Sequence, residues 1–198
     1  MNGATPSPGW RTLQNPEKTS ILLLLLNEQR YVCVYCGAAI SSNTRFAHIE
    51  HFRPQSIFPA LRFEWSNLYA SCGPPTAKKQ PKTCGDAKNN WIPKNHIDPT
   101  DPACEQKFAY DGRGQIRPSM LGGDSAAVMI KRLNLEDKSL IYQRYQIIAH
   151  LEEEIGAGMI DASNVAAEIL SWRTVDGNGR LKAFGHVAAR YLEYEPIC

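Results

Sequence analysis

The chain has 198 residues, of which 43% are hydrophobic, and a formal net charge of +2. Its length allows one sizeable core, or a small module with a helical extension. Because the net charge is weak, the protein has no overall field that attracts nucleic acid, and any basic surface must be local.

The first 30 residues predict a loose, proline-containing arm at 1–18 and a helix over 20–30. The arm lacks the basic start and apolar core of a secretory signal. The apolar run at 21–26 is far shorter than the roughly 20 residues that cross a bilayer, so we interpret it as the buried face of the helix. We therefore expect a soluble, cytoplasmic protein without membrane contact. In that reducing compartment the six cysteines would be thiols or metal ligands rather than disulfides.

Short segments with turn formers between them follow over 31–92. The stretch FAHIEHF alternates apolar and polar residues, as a half-buried strand does. FEWSNLYAS predicts a second extended segment, and TCGDAKNNW predicts a short helix. Beyond this module, residues 93–123 predict a connecting loop with a hairpin at KFAYDGRGQIRP.

From residue 124 to 198 the pattern becomes helical. Asp124 is positioned to cap a helix over SAAVMIKRL, and Asn134 to cap a longer one that Gly156 and Gly158 end. Apolar residues recur in the longer helix at steps of three and four, at Ile141, Tyr145, Ile148, Leu151 and Ile155. Two further helices are predicted over 161–172 and 181–194. The domain plan is therefore an arm with a helix (1–30), a module (31–92), a connection (93–123) and a helical region (124–198).

Four cysteines frame the module. Cys33 and Cys36 form a C-x-x-C knuckle, and Cys72 and Cys84 form a looser pair with eleven residues between them. Four thiolates suit tetrahedral zinc in a closed structural site. A module this small buries too little to fold alone, and a metal would tie its ends together. The alternatives are buried free thiols or a redox motif, although the sheet that usually accompanies a redox C-x-x-C is not predicted here.

The stretch RFAHIEHFRPQS places two histidines and a glutamate within four positions. On these residues alone, Glu50 and His51 could form a surface ion pair, and we interpret His48 as an exposed strand histidine without a role. In its full order, however, the sequence resembles the HNH endonucleases of the ββα-metal type that carry zinc-bound knuckles. Within that superfamily it most resembles the PtuB family, the nuclease subunits of Septu and retron-associated anti-phage systems. The motifs that carry the resemblance are CVYC, IEHFRPQS, WSNLYASC and CGDAKN, followed by FAYDGRGQI and LNLEDKSLIYQR.

The resemblance implies an α+β fold, with a small zinc-stapled ββα-metal (HNH) module and a C-terminal α-helical region. It implies that His51 is the general base, which takes a proton from the water that attacks a phosphodiester. Glu50 would bind the catalytic Mg²⁺ or Mn²⁺. Asn67 would hold the loop and the base histidine in place.

At one position the sequence departs from the family pattern. Gly85 stands where many members have an Asn or His that serves as second ligand of the catalytic metal. Asp86 is the nearest carboxylate and our predicted ligand, with Asn89 in reserve. Lys88 matches the family lysine and would contact phosphate.

Five basic residues are predicted to contact the nucleic-acid backbone, which positions DNA without reading its sequence: Arg53, Lys78, Lys79, Lys82 and Lys88. The resemblance further implies that the protein cleaves DNA alongside an ABC-type ATPase subunit (PtuA-like) that gates it. In retron versions a reverse transcriptase and its DNA product take part too. Two competing interpretations are a zinc-stapled adaptor that binds nucleic acid or a partner without cleaving, and a thiol-redox protein.

Overall fold

A computed structural model describes residues 9–10, 13, 15–42, 47–73, 81–92 and 97–194. It shows a mixed α/β fold with two small antiparallel sheets. The first half of the chain forms α1 (Glu17–Glu28), β1 (Ala47–His51), β2 (Leu68–Cys72) and α2 (Cys84–Lys88). The second half forms β3 (Phe108–Tyr110), β4 (Ile116–Pro118), α3 (Gly123–Arg132), α4 (Lys138–Gly156), α5 (Val165–Arg173) and α6 (Gly185–Tyr194).

The predicted order of two strands and a short helix is observed in the first half. β1 pairs antiparallel with β2, so that His48 lies opposite Ser71 and His51 opposite Leu68. Side chains alternate between the faces of a strand, which puts His48 and Glu50 on one face of β1 and His51 on the other. FEWSNLYAS is extended only in its second part, because a 3₁₀ turn occupies Trp65–Asn67.

The helix α1 begins and ends slightly before its predicted limits. Leu22, Leu25 and Leu26 are buried, whereas Leu23 and Leu24 are exposed. This is expected because a helix directs consecutive residues to different faces, so only part of a continuous apolar run contacts the core. Gln29, just after α1, fixes the helix to β2: its side-chain amide donates to Ala70 O at 2.8 Å and accepts from Ala70 N at 2.6 Å.

Two predicted helix caps are wrong. α3 begins at Gly123 with Gly122 as N-cap, ahead of Asp124. α4 begins at Lys138, capped by the Asp137 carboxylate, which accepts a hydrogen bond from Ser139 N. Asn134 instead has a left-handed backbone with φ of 49°, and its side chain donates to Lys82 O at 2.9 Å.

Other features of the second half agree with the sequence. The KFAYDGRGQIRP hairpin forms as β3 and β4, and α4 ends at Gly156, followed by Gly158 with φ of +69°. The buried stripe of α4 is rotated from the predicted one, since Tyr145 is exposed. Arg144 is fully buried there because its guanidinium donates to Gly114 O at 2.8 Å and to Leu135 O at 2.7 Å.

The two halves share one hydrophobic core, which includes Leu25, Ala70, Leu133, Ile148 and Val187. Backbone hydrogen bonds join them as well, from Cys84 N to Leu133 O and from Phe184 N to Gly37 O, both at 2.8 Å. The helical region therefore supports the strands and cysteines directly. No helix within the described ranges combines the length and apolar character that a membrane span needs.

Candidate metal and catalytic site

The four predicted cysteine ligands converge. The Sγ atoms of Cys33, Cys36, Cys72 and Cys84 all lie within 4.8 Å of one another, and those of Cys36 and Cys72 are 3.6 Å apart. The backbone N–H of Cys72 donates to Cys33 Sγ at 3.2 Å. Three of the four residues are buried, and Cys72 is half-buried. This cluster could hold a metal ion.

The electrostatics of the cluster suit a cation. Burial raises the pKa of Cys33, but hydrogen bonds from the other three thiols outweigh it and lower the pKa well below its usual range. Hydrogen bonding with Cys33 in turn raises the pKa values of Cys36 and Cys84 well above theirs. Four sulfur ligands in a closed, buried site are compatible with structural zinc.

Glu50 is held from one side by two donors. Lys88 Nζ lies 2.8 Å from Glu50 Oε1, and Tyr35 donates to the same oxygen at 3.2 Å. Burial and the Glu50 charge raise the pKa of Tyr35 well above its usual value, so its hydroxyl stays a donor. The other carboxylate oxygen, Oε2, lies toward Gly85.

The position of Lys88 differs from the one expected for a phosphate contact. Its side chain is only 1% exposed, and its ammonium also donates to His51 O at 3.0 Å. The Lys88 ammonium therefore binds two groups of β1, the Glu50 carboxylate and the His51 carbonyl, and does not face solvent. This is a buried ion pair, in which each partner compensates the desolvation of the other.

His51 is buried at the end of β1, with one ring nitrogen anchored. Its Nε2 lies 3.0 Å from Arg62 O. A carbonyl only accepts, so Nε2 carries the proton and Nδ1 keeps its lone pair. Burial lowers the pKa of His51, which favours this neutral form. Trp10 packs edge-on against the ring, with centroids 4.5 Å apart.

Asn67 ties together the two segments that surround His51. Its Oδ1 accepts from Arg53 N at 2.7 Å, and its Nδ2 donates to Arg53 O at 3.1 Å and to Leu61 O at 3.0 Å. Leu61 precedes Arg62, whose carbonyl anchors His51. Asn67 therefore connects the segment at Arg53 to the segment at Leu61.

His48 lies between the two predicted carboxylate ligands. Its Nε2 is 3.9 Å from Glu50 Oε2. A Cβ built on Gly85 would lie 2.7 Å from this Nε2, and one on Gly73 would lie 2.7 Å from His48 Nδ1 and 3.1 Å from Asp86 Oδ2. Burial lowers the pKa of His48, but Glu50 and Asp86 outweigh it and raise the pKa. Glu50 and Asp86 thus both act electrostatically on one imidazole.

The remaining predicted residues are on the surface or outside the described ranges. Arg53 is exposed, with its guanidinium 5.8 Å from the Phe58 ring centroid. Lys82 and Asn89 are exposed as well. Lys78 and Lys79 lie outside the described residues.

Two residues at the site were missed from the sequence although signals for them existed. Tyr35 lies inside the CVYC knuckle, so its proximity to any site near the cysteines could have been predicted. His48 is two residues from Glu50, and the strand period of two places both side chains on one face. Trp10 lies in a segment whose sequence predicts no element, and its contact with His51 had no such signal.

Comparison with known proteins gives one informative relative. The sequence matches no protein-family model. It is 34% identical over 87 residues to the Septu protein PtuB of Bacillus thuringiensis, a match that covers 40% of this chain and 33% of that protein. The chain therefore spans about a third of the length of the curated relative it matches. The similarity supports a relation to Septu PtuB.

Proposed function

We propose that this protein is a metal-dependent HNH endonuclease that hydrolyses DNA phosphodiester bonds in an anti-phage defence system. The observation that carries the proposal is the environment of His51. Its Nε2–H is fixed on a backbone carbonyl, burial lowers its pKa, and Nδ1 keeps its lone pair as a base. The relation to Septu PtuB supports the defence setting.

His51 would act as general base through Nδ1. The hydrogen bond to Arg62 O fixes the tautomer, and Trp10 restricts the ring, so that the lone pair has one orientation. Asn67 acts indirectly because it holds the segment that ends at Arg62. A positioned base of this kind contributes roughly 10²–10⁴-fold to rate.

Glu50 would hold the catalytic divalent cation. Lys88 and Tyr35 both bind Oε1, so the carboxylate is fixed with Oε2 turned toward Gly85, which has no side chain, and toward His48. Mg²⁺ and Mn²⁺ prefer oxygen ligands, and Mg²⁺ sites on phosphate substrates often use only one or two carboxylates. When bound, such an ion stabilises charge on the phosphate and the leaving oxygen.

A zinc ion among the four cysteines would have a structural role. The cluster joins the knuckle, the end of β2 and the start of α2. Arg53 and Lys82, together with Lys78 and Lys79, are proposed to contact the DNA backbone, whereas Lys88 holds Glu50.

We also propose that an ABC-type ATPase of the PtuA kind docks on the helical region and gates cleavage, with a reverse transcriptase and its DNA product added in retron versions.

A plasmid-cleavage assay tests the proposal. Wild-type protein, His51→Ala and the surface control His150→Ala are compared with Mg²⁺ or Mn²⁺, with and without an ABC-type ATPase of the PtuA kind. We expect cleavage by wild type and the control in the complex, and a loss of roughly 10²–10⁴-fold in His51→Ala at unchanged zinc content. Near-normal cleavage by His51→Ala would sink the mechanism.

One observation favours a second function, a zinc-stapled adaptor that binds without cleaving. Gly85 has no side chain at the position where the family often supplies a metal ligand. The adaptor predicts that wild-type protein binds DNA or the ATPase but leaves the plasmid intact under every metal condition. The same assay therefore separates the two functions.

A further inference from the structure

The space above Gly85 is filled from another element. We infer that His48 is a ligand of the divalent cation that Glu50 binds, and that its imidazole occupies the place of the missing side chain at position 85. This inference rests on the proposed function and deepens it, because it identifies a second protein ligand. It also reassigns His48, which the sequence alone placed outside the motif.

The two glycines beside His48 are explained by space rather than by backbone conformation. Neither Gly73 nor Gly85 has a left-handed φ, and Gly85 lies within α2, where glycine disfavours a helix relative to alanine. A Cβ at either position would lie 2.7 Å from a ring nitrogen of His48. That separation is shorter than real Cβ contacts, so both positions must be bare for the imidazole to lie between them.

The ring presents its donor atom to Glu50. His48 Nε2 and Glu50 Oε2 are 3.9 Å apart, which is too long for a hydrogen bond. It is also shorter than about 4.2 Å, twice a Mg²⁺–oxygen distance, so one ion can contact both atoms. Lys88 and Tyr35 both contact Oε1. The other oxygen, Oε2, faces His48.

The exposure of the two side chains fits an open cation site. Glu50 is 9% exposed and fixed from behind, whereas His48 is 32% exposed. An ion between them would be reached from solvent and could keep water or phosphate ligands. A carboxylate with an imidazole suits Mn²⁺ and similar ions, since carboxylates and imidazoles are both ordinary ligands of first-row metals.

Asp86 then becomes a positioning residue. Its Oδ2 and His48 Nδ1 both lie close to the Cβ position of Gly73, at 3.1 Å and 2.7 Å. Metal-binding histidines commonly have their second ring nitrogen oriented by a carboxylate, which fixes the ring and the tautomer. Asp86 therefore acts through His48 and not as the direct ligand predicted from the sequence.

Mn²⁺ affinity tests the inference without turnover. Electron paramagnetic resonance measures Mn²⁺ binding to the full, zinc-loaded chain carrying His51→Ala, in the presence of a DNA duplex. To this parent we add His48→Ala, His48→Phe, Glu50→Gln, Asp86→Asn or His150→Ala. His48→Phe keeps a ring between the glycines but has no donor atom. His150 is a matched control, because its Nε2 also lies near a glutamate, 3.6 Å from Glu154 Oε1, but its side chain is 60% exposed.

We expect both His48 variants and Glu50→Gln to weaken Mn²⁺ binding by at least the roughly 10–100-fold that loss of an outer-shell partner costs. Asp86→Asn should lose about tenfold, at the lower end of that range, and His150→Ala nothing.

Two results would overturn the inference. If the His48 variants bind Mn²⁺ like the parent while Glu50→Gln does not, His48 is not a ligand, and the nuclease proposal stands. If the parent binds no Mn²⁺ and wild-type protein cleaves no DNA in the complex, the proposed function fails and the inference fails with it. Zinc content, measured for every variant, shows that a loss of Mn²⁺ binding is local to this site.

Discussion

The cysteine cluster and the Glu50 site lie on the same small framework, but they are built in opposite ways. The cluster is closed: four sulfurs from three chain segments face one another, and three of the four residues are buried. The Glu50 site is open to solvent on one side. Lys88 holds one oxygen of the Glu50 carboxylate, and the partly exposed His48 imidazole lies near the other. A closed set of ligands suits a structural ion, whereas an open set leaves room for a substrate.

The two sites are nevertheless connected through specific side chains. Tyr35 lies between Cys33 and Cys36 in the chain and donates to Glu50. Ser71 Oγ lies 3.8 Å from Cys33 Sγ and accepts a hydrogen bond from Gly85 N at 3.1 Å. Loss of order among the cysteines should therefore displace both Tyr35 and the start of α2. Disruption of the cysteine cluster should therefore disturb the Glu50 site, whereas substitutions at the Glu50 site should leave the cluster intact.

The largest effect is expected from breaking the closed site. Cys36→Ser or Cys84→Ser should lose zinc and most of the stability, because metal binding to structural sites supplies roughly 10–16 kcal/mol of apparent free energy. Cys104→Ser, outside the cluster, is the matched control. Mass spectrometry under native conditions and thermal unfolding measure the two effects. A Cys84→Ser chain that keeps its zinc and its melting temperature would show that the cluster is not a metal site.

The next effect comes from the buried ion pair behind Glu50. Lys88→Met should destabilise the fold by about 3–5 kcal/mol, because it leaves the Glu50 charge buried without its partner. Lys107→Met is the control, since Lys107 pairs with Asp101 at 2.7 Å on the surface and its side chain is 25% exposed. Urea denaturation measures both. Equal, small losses in the two variants would mean that Lys88 is not committed to Glu50.

A smaller effect is expected where His48 meets the glycines. Gly85→Ala should cost about 1–3 kcal/mol, as overpacking does, because its Cβ would lie 2.7 Å from His48 Nε2. Gly156→Ala, with open space around it, is the control. A Cβ at position 85 would also lie 2.8 Å from Glu50 Oε2. In a His48→Ala background only part of the cost of Gly85→Ala should therefore disappear, and a double-mutant cycle measures this coupling. Additive losses would contradict the packing described for this ring.

The smallest effect is expected from the exposed ion pair between Arg173 and Glu193. Its contribution to stability can be compared with that of the buried pair between Lys88 and Glu50. Burial raises the pKa of Glu193, but its hydrogen bond to Arg173 and the Arg173 charge outweigh it and lower the pKa below 4.5. The pair therefore stabilises the fold above pH 4.5, and this stabilisation is lost as the pH falls through the lowered value. Arg173→Leu should reduce stability at pH 7 and have little effect at pH 3. Denaturation at both values measures the difference, and an equal loss at both would contradict it.

The sequence predicted the closed site better than the open one for a physical reason. Thiolate spacing indicates a metal directly, and all four cysteines meet as expected. The short strands and α2 also follow from local pattern. The contact of Lys88 with Glu50 does not, because Lys88 reaches Glu50 from α2 through packing that no local pattern shows. A buried lysine is rare, and the family resemblance implied a phosphate contact for Lys88 instead.

The same limit explains the misplaced helix starts. Asn134 and Asp137 are both suitable caps, and local preference does not choose between them. The choice is made by tertiary contacts: Asn134 bonds to Lys82 O and follows Leu133, whose carbonyl accepts from Cys84 N. Arg144 is a further case, since its buried position depends on two carbonyls from other segments.

A Mn²⁺ titration of zinc-loaded wild-type protein and Glu50→Gln, with zinc content measured throughout, tests the central claim most directly. The claim is that one framework carries two chemically different cation sites. We predict that wild type binds Mn²⁺ while it keeps its zinc, and that Glu50→Gln keeps the zinc but loses the Mn²⁺ site. Mn²⁺ binding that survives Glu50→Gln, or that occurs only as zinc leaves the cysteines, would contradict the account.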